Sequence, residues 1–395
     1  MIGKRSARVL ILLFAFVAQA CSTPGDLVTA RTQFQYGSAN QALQTLDEAS
    51  VSRRDTLLLL MDKALVAQAA GKYQQSIAAL EASYQLVDEL DYVSARDQTS
   101  ALFTNDWAIR YSGEYSERLW IHTFQMINYL LTGQPGGAAV EARRAVKLFE
   151  EHADVLNADF FTRYLMAISF EAAGQFDSAS VEYRKLAKLL STPMGELATK
   201  SDRELVLIVA SGFIAPKLPG DLYIDINARI AFPFYPAIET PAPSITITAN
   251  TDSLNNSVVE KSRVDTQLLP VARQSLEKRG TTLAARQAIR IASKYAIAEQ
   301  LESQDEVIGQ LARILFFAIE QADTRSWETL PSYLSLIRVP LPEKATSVQV
   351  HIQSFDRIRS GQMNQTVNVT VNDQRKQFKL LRVGIERDNT ALASP

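Results

Sequence analysis

Along the first half of the chain, apolar residues recur at spacings of three and four. Leu57, Leu60, Met61, Ala64 and Leu65 fall on one stripe, and Ile77, Leu80, Tyr84 and Val87 fall on the stripe of the next segment. That period predicts amphipathic helices, and it runs from about Ala30 to Leu190, broken by a recurring turn. Tyr36-Gly37-Ser38-Ala39 returns 34 residues later as Ala70-Gly71-Lys72-Tyr73, and the same punctuation is read at Gly113, Gly133 and Gly174. A spacing of 34 is the period of the tetratricopeptide repeat. The later intervals, 42 residues from Gly71 to Gly113 and 41 from Gly133 to Gly174, are longer. The expectation is therefore a degenerate, tetratricopeptide-like solenoid of helical hairpins over residues 31–192. Each pair would bury its face against its neighbours and leave an inner face for a partner. Gly71 and Gly174 are expected to end their helices at positive φ.

After Leu190 the period changes. Ser191-Thr192-Pro193-Met194-Gly195 reads as a helix stop and linker. Leu205 to Ala210 is a short apolar run of strand type, and Leu222, Ile224 and Ile226 alternate, as do Ile245 and Ile247, around a Pro-heavy excursion from Pro233 to Pro243. Helical patterns follow at about Leu283 to Gln300 and Glu306 to Gln321. Strands return at Ser347 to Ile352 and Thr366 to Val371, and Phe378 to Val383 is expected to pair back across Asn372-Asp373-Gln374-Arg375. Asn389 to Pro395 reads as a frayed end. The fold class expected is α+β: the N-terminal helical-repeat solenoid, then an α+β domain over residues 203–388 with a mostly antiparallel sheet.

The N-terminus changes the picture. Lys4, Arg5 and Arg8 precede an apolar run from Val9 to Ala18, which Ala18-Gln19-Ala20 closes before Cys21. These are the parts of a secretion signal over residues 1–20, and the run is shorter than the ~20 apolar residues of a bilayer span. Cys21 is the only cysteine of the chain, so an intramolecular disulfide is ruled out. The expected role of Cys21 is to carry acyl chains, with residues 21–30 as a tether. The stretch resembles a bacterial lipobox, with Ala18 where that motif prefers Leu, and Ser22 resembles the sorting signal for the outer membrane. Without residues 1–20, Lys+Arg falls from 41 to 38 against 43 Asp+Glu. A non-specific nucleic-acid binder carries a basic excess, so nucleic acid is not expected as a partner.

Candidate chemistry is sparse. His122, His152 and His351 share no ligand spacing: His122 reads as a satisfied core histidine, His152 as a residue beside a helix end and His351 as a strand residue. The HExxH, G-x-S-x-G and P-loop motifs are absent. No metal, cofactor or catalytic residue is expected, although a carboxylate pair assembled in three dimensions stays open. Glu141, Arg143 and Arg144 read as a helix-surface ion pair or as an Arg fork holding an acidic partner or the C-terminal domain. Asp323-Thr324-Arg325-Ser326-Trp327 reads as a structural junction, with Arg325 paired to a carboxylate or stacked on Trp327, or as a recognition edge. Lys217, beside Pro216, reads as a solvated loop lysine, with an anionic sugar or lipid head group as its functional alternative.

Several landmarks occur in order along the chain: Tyr36-Gly37 with Ala42-Leu43, Val140-Glu141-Ala142-Arg143-Arg144, Ser211-Gly212 with Ala215-Pro216-Lys217, Ile230 to Tyr235, and Ala322 to Trp327 with Leu330-Pro331. Together they resemble an uncharacterised family of proteobacterial lipoproteins with tetratricopeptide-like N-terminal halves. The resemblance implies an outer-membrane anchor, a periplasmic body and involvement in envelope biogenesis, and brings no reaction or catalytic residue with it. The function expected is a non-enzymatic, periplasm-facing outer-membrane lipoprotein that binds an envelope protein as a scaffold, with regulation of peptidoglycan synthesis as one setting. A module for envelope polysaccharide or lipid is the alternative, and a hydrolase the third class.

Overall fold

The computed structural model describes residues 24–96, 110–197, 202–225, 228–250, 257–258, 262–303, 305–318, 321–343 and 345–385. Cys21, the expected signal, Ile226 and Asn389 to Pro395 lie outside the described residues.

Among the described residues of the first half there are four helical hairpins: α1 (Gly25–Gln35) with α2 (Ala39–Glu48), α3 (Thr56–Ala69) with α4 (Tyr73–Arg96), α5 (Tyr115–Leu131) with α6 (Pro135–Glu151), and α8 (Phe160–Ala172) with α9 (Phe176–Leu190). Short helices α7 (Ala153–Leu156) and α10 (Met194–Leu197) flank the fourth. All four hairpins turn in the same way. At the second, Gly71 N–H donates to Gln68 O and Lys72 N–H to Ala67 O, and the same pair of bonds recurs around Gly37, Gly133 and Gly174. This closure needs a left-handed residue at its centre, and Gly71 and Gly174 take φ of 79° and 73° as the sequence predicts. Gly113 also has positive φ, yet it stands at the entrance of α5, where Glu114 and Glu117 form a capping box. The glycine–aromatic signature marks a helix entrance as readily as a hairpin turn, so Gly113 is not part of the repeat.

The first helices of the second, third and fourth hairpins are covered on more than one side, whereas α1 buries one stripe of Leu27, Ala30, Arg31 and Phe34. In α8 every residue from Phe161 to Phe170 is buried, and α5 buries Leu119 to Asn128 without a break. The second helices keep a wet face, as α9 does, burying Ala179, Glu182, Tyr183 and Leu186 only.

The second half is built from three sheets where the sequence predicts one. β1 (Glu204–Ser211), β6 (Ser262–Gln267), β7 (Tyr333–Pro340) and β10 (Lys376–Arg382) form a four-stranded sheet in the order β10-β1-β7-β6. β4 (Ser244–Asn250), β5 (Ser257–Val258), β8 (Ser347–Asp356) and β9 (Gly361–Thr370) form a second in the order β5-β4-β8-β9, and β2 (Leu218–Asp225) with β3 (Ala228–Phe234) makes a ribbon. All pairings are antiparallel except β1 with β10. This corrects the expected hairpin from Thr366–Val371 to Phe378–Val383: β9 pairs with β8, and β10 crosses to the other sheet beside β1.

The first sheet is the middle layer. Val206, Ile208 and Leu336 point into a core shared with the hairpins, while Leu205, Leu207, Val209, Ile337 and Val339 point into a second core against Ile247, Val348, Val350 and Ile352. Both faces of β1 are covered, which is why its sequence is a continuous apolar run. Between the strands, α11 (Leu268–Glu302) and α12 (Glu306–Ala318) form a long helical pair. α11 starts well before Leu283, because Pro270 sits in its first turn, where a missing N–H is harmless.

Candidate interaction site

The segment from Ala322 to Ser332 packs against α1, α3 and α5 of the hairpins. Arg31 of α1 is buried and bonds three ways: Nε to Asp62 of α3 at 2.7 Å, Nη1 to Glu328 at 2.7 Å and Nη2 to the Ser326 carbonyl at 3.1 Å. Thr329 Oγ1 donates to the other oxygen of Asp62 at 2.9 Å. Arg325 grips Asp323 through Nε and Nη2, each at 2.8 Å, and Nη1 reaches Asp55 at 3.3 Å and the Arg54 carbonyl at 3.2 Å. Its guanidinium lies 5.4 Å from the centre of the Tyr111 ring, so the expected stacking on Trp327 is replaced by Tyr111. Trp327 is fully buried, edge-on to Phe124, and its backbone N–H donates to Glu117 Oε1 at 2.8 Å. Thus Asp323, Arg325 and Trp327 form a junction within one chain.

Lys217 joins the same junction. It is 4 % exposed, and its Nζ stands 2.6 Å from Glu114 Oε1, which corrects the solvated-loop reading. Pro216 and the turn carry it into the body because Glu114, at the head of α5, offers a buried carboxylate that Arg279 of α11 also approaches at 3.5 Å. Burial alone would raise the Glu114 carboxyl, but Lys217 and Arg279 outweigh it and hold it down at about 2. Neighbouring Glu117 goes the other way. Burial pushes it up, while it accepts Tyr111 OH at 2.5 Å and the Glu114 N–H at 2.9 Å.

A second ionic junction had no signal in the sequence. Arg338 of β7, fully buried, pairs with Glu204 of β1 at 2.7 Å and with Glu171 of α8 at 3.0 Å, and Lys376 of β10 reaches both carboxylates, Glu171 at 2.6 Å and Glu204 at 2.7 Å. Tyr183 of α9 donates to Glu171 as well. Burial raises Glu171, yet Arg338 and Lys376 bring it to about 2. These residues come from five elements, and no local spacing announces such a meeting.

Glu141, Arg143 and Arg144 stand apart on α6. Glu141 is buried, taking His122 Nδ1 at 2.7 Å and Arg144 at 2.8 Å, and Arg144 lies over the Tyr84 ring. Arg143 is exposed and meets Gln175 at 3.0 Å. The pair is anchored inward and is not a free fork. His122 is the satisfied core histidine expected, His152 stacks on Tyr115 at 3.9 Å, and exposed His351 bonds Thr366 at 2.9 Å. The three do not converge. Among the described residues no group of three or more His, Cys, Asp or Glu could hold a metal.

Two enclosed spaces, one beside Phe34, Gln68 and Arg382 and one beside Phe213, Ile238 and Arg357, have room for about a single water each, at roughly 10 Å³. Exposed apolar side chains occur on the hairpins, as at Tyr36, Tyr92 and Phe176, and on the second half of the chain. Leu218, Leu222, Tyr223, Phe232 and Phe234 of the β2–β3 ribbon are exposed, as are Ile297 of α11 and Val307, Ile308 and Ile314 of α12. The ribbon and α12 adjoin, with Tyr223 against Phe317 at 6.4 Å and Arg229 over the same ring at 4.9 Å. Comparison with family models, with curated proteins and with solved structures finds no match to the chain.

Proposed function

We propose that the protein is a non-enzymatic scaffold, anchored by an acylated Cys21 to the periplasmic side of the outer membrane, which binds an envelope protein through the apolar arm formed by the β2–β3 ribbon and α12. In this reading, which follows the resemblance to envelope lipoproteins, the hairpins are a degenerate tetratricopeptide-like array whose inner face is used internally. The observation that supports it is the exposure of Leu222, Tyr223, Ile308 and Ile314 on the ribbon and α12, while residues 322–332 are packed within the chain against α1, α3 and α5. Patches of this kind mark interaction sites. Regulation of peptidoglycan synthesis is one setting for such a partner.

Photo-crosslinking amino acids at Tyr223 and Ile314, incorporated in living cells, test the reading. A discrete crosslinked protein is expected, lost on Leu222→Asp with Ile308→Asp, while Cys21→Ser removes fatty-acid labelling. Crosslinks to lipid alone, or labelling that survives Cys21→Ser, would overthrow the corresponding part. The polysaccharide reading has one observation of its own, the uncharged hydroxyl and amide face of β4, β8 and β9, where Thr246, His351 and Thr366 share a row. Retention of the protein on immobilised envelope glycan, abolished by Thr246→Lys, would favour it.

A further inference from the structure

β9 is a ten-residue strand at the rim of the second sheet, and its sequence, Gly-Gln-Met-Asn-Gln-Thr-Val-Asn-Val-Thr, holds no charge and no proline. Its register with β8 runs unbroken from Asp356–Gly361 to Ser347–Thr370. At the end of that ladder Val371 N–H donates to Thr346 O at 3.0 Å, which sets its phase. Antiparallel pairs alternate between bonded and non-bonded, so Met363, Gln365, Val367 and Val369 turn their backbone groups to β8. Gln362, Asn364, Thr366, Asn368 and Thr370 turn theirs to the open rim.

A bare rim of this kind is a template for another strand, and proteins normally blunt it with charge, proline, a bulge or brevity. The other rims here follow that rule. β10 carries Lys376, Lys379 and Arg382, β6 carries Arg263 and Asp265, β2 and β3 carry Pro219, Asp221, Arg229 and Pro233, and β5 has two residues. β9 is the strand left without protection along its whole length among the described residues, while β4 lacks a partner on that side only from Ser244 to Ile247, where β5 stops short.

We propose that β9 pairs antiparallel with β9 of a second copy of this chain, joining two four-stranded sheets into one of eight strands across a two-fold axis. A two-fold contact sets each residue of the strand opposite another of the same strand. Like charges there would repel, and a strand of Asn, Gln and Thr has none; its hydroxyls and amides pair with one another across the axis. A strand of this composition also offers no charge by which to select an unlike partner. The inner face adds to the case. Val367 is half-buried, whereas Val348, Val350 and Ile352 of the next strand are fully buried, so a neighbouring copy extends the core over the rim there, while Met363 and Gln365 are already met by Arg359 and Gly384 of the same chain. A single strand pair is smaller than the ~1,200 Å² lower end of a standard stable interface, so the dimer is weak and depends on concentration.

Sedimentation equilibrium of the full chain in a mild detergent is expected to show a monomer–dimer equilibrium. Asn364→Lys with Asn368→Lys, both on the exposed row, should weaken association at least tenfold at unchanged thermal stability. Thr246→Lys, on the same face but two strands inward, should leave it intact. Single cysteines walked along Gln362 to Thr370 in the Cys21→Ser background should give one maximum of disulfide-linked dimer, at the residue nearest the axis. A monomer at every concentration, or association indifferent to the two rim lysines, overturns the proposal. Protection of the rim amides from hydrogen exchange in a monomer overturns it too, since the strand would then be covered within one chain.

Discussion

Arg325 shows how much a single side chain can join. It binds a carboxylate two residues away and another on the loop before α3, and it is 1 % exposed in doing so. Removing one member of a buried pair leaves the other charge uncompensated. Arg325→Ala is therefore expected to lower stability by about 3–5 kcal/mol in urea unfolding, and Arg325→Lys to recover little of it, because the planar fork is lost. Trp327→Ala should cost about 3–5 kcal/mol by the cavity it leaves. If either variant loses partner capture at unchanged stability, the residue acts in recognition after all. The motif itself was legible, since an Arg and a Trp after an apolar helical stretch suggested a junction. What it joins was not, because Asp55 and Glu117 lie far upstream. Lys217 was misread for the same reason: its counter-ion, Glu114, is distant in sequence. That ion pair also sets a pH dependence. Glu114 is held below its ordinary value of 4.5, so the unfolded chain binds its proton first as pH falls. The contribution is complete above about pH 5 and is lost as pH drops from there through about 2. Melting curves of wild type and Glu114→Gln should therefore differ by a constant amount at neutral pH and converge towards pH 2.

Among the elements, the hairpin turns were the most legible, because one residue type carries the geometry. Gly71 at φ 79° has open space where a Cβ would stand, so the penalty of Gly71→Ala is purely conformational, about 1–2 kcal/mol. Gly136→Ala, in α6 with negative φ and equally open space, should stabilise slightly by contrast. Thermal unfolding of the two variants separates backbone strain from crowding. Strands were legible where burial imposed a pattern. β1 is apolar from Leu205 to Ala210 because both its faces are covered, and β8 alternates because one face is wet. Pairing was less so: the short connection from Asn372 to Arg375 suggests a hairpin, yet Lys376 is drawn to Glu171 and Glu204, and β10 aligns with β1. β7, with Ser335 and Arg338 in a short apolar run, has no clean period. Its arginine is buried only because two carboxylates from other elements wait for it.

The halves of the molecule share a core. Leu27, Phe124 and Tyr164 of the helices belong to the same apolar cluster as Val206, Leu336 and Leu380 of the sheet, and two ionic junctions cross the same boundary. Calorimetry of the chain is expected to show one unfolding transition, and two separated transitions would mean that the hairpins fold alone. The sequence suggested two bodies because its periodicity changes sharply after Leu190, but periodicity reports local geometry and is silent about what covers a helix.

The segment packed against the hairpins has a consequence in time. A chain emerging from a channel completes its hairpins by residue 190, while the segment that seals them, Ala322 to Ser332, is still more than a hundred residues behind. Until it arrives, Phe124 and Leu65, which meet Trp327, Thr329 and Pro331 in the folded chain, face water, and helices that are apolar all round invite association with their like. The last step of folding is thus a late strand and loop closing over an early scaffold, and a chain cut short before Trp327 is expected to need a chaperone rather than a partner.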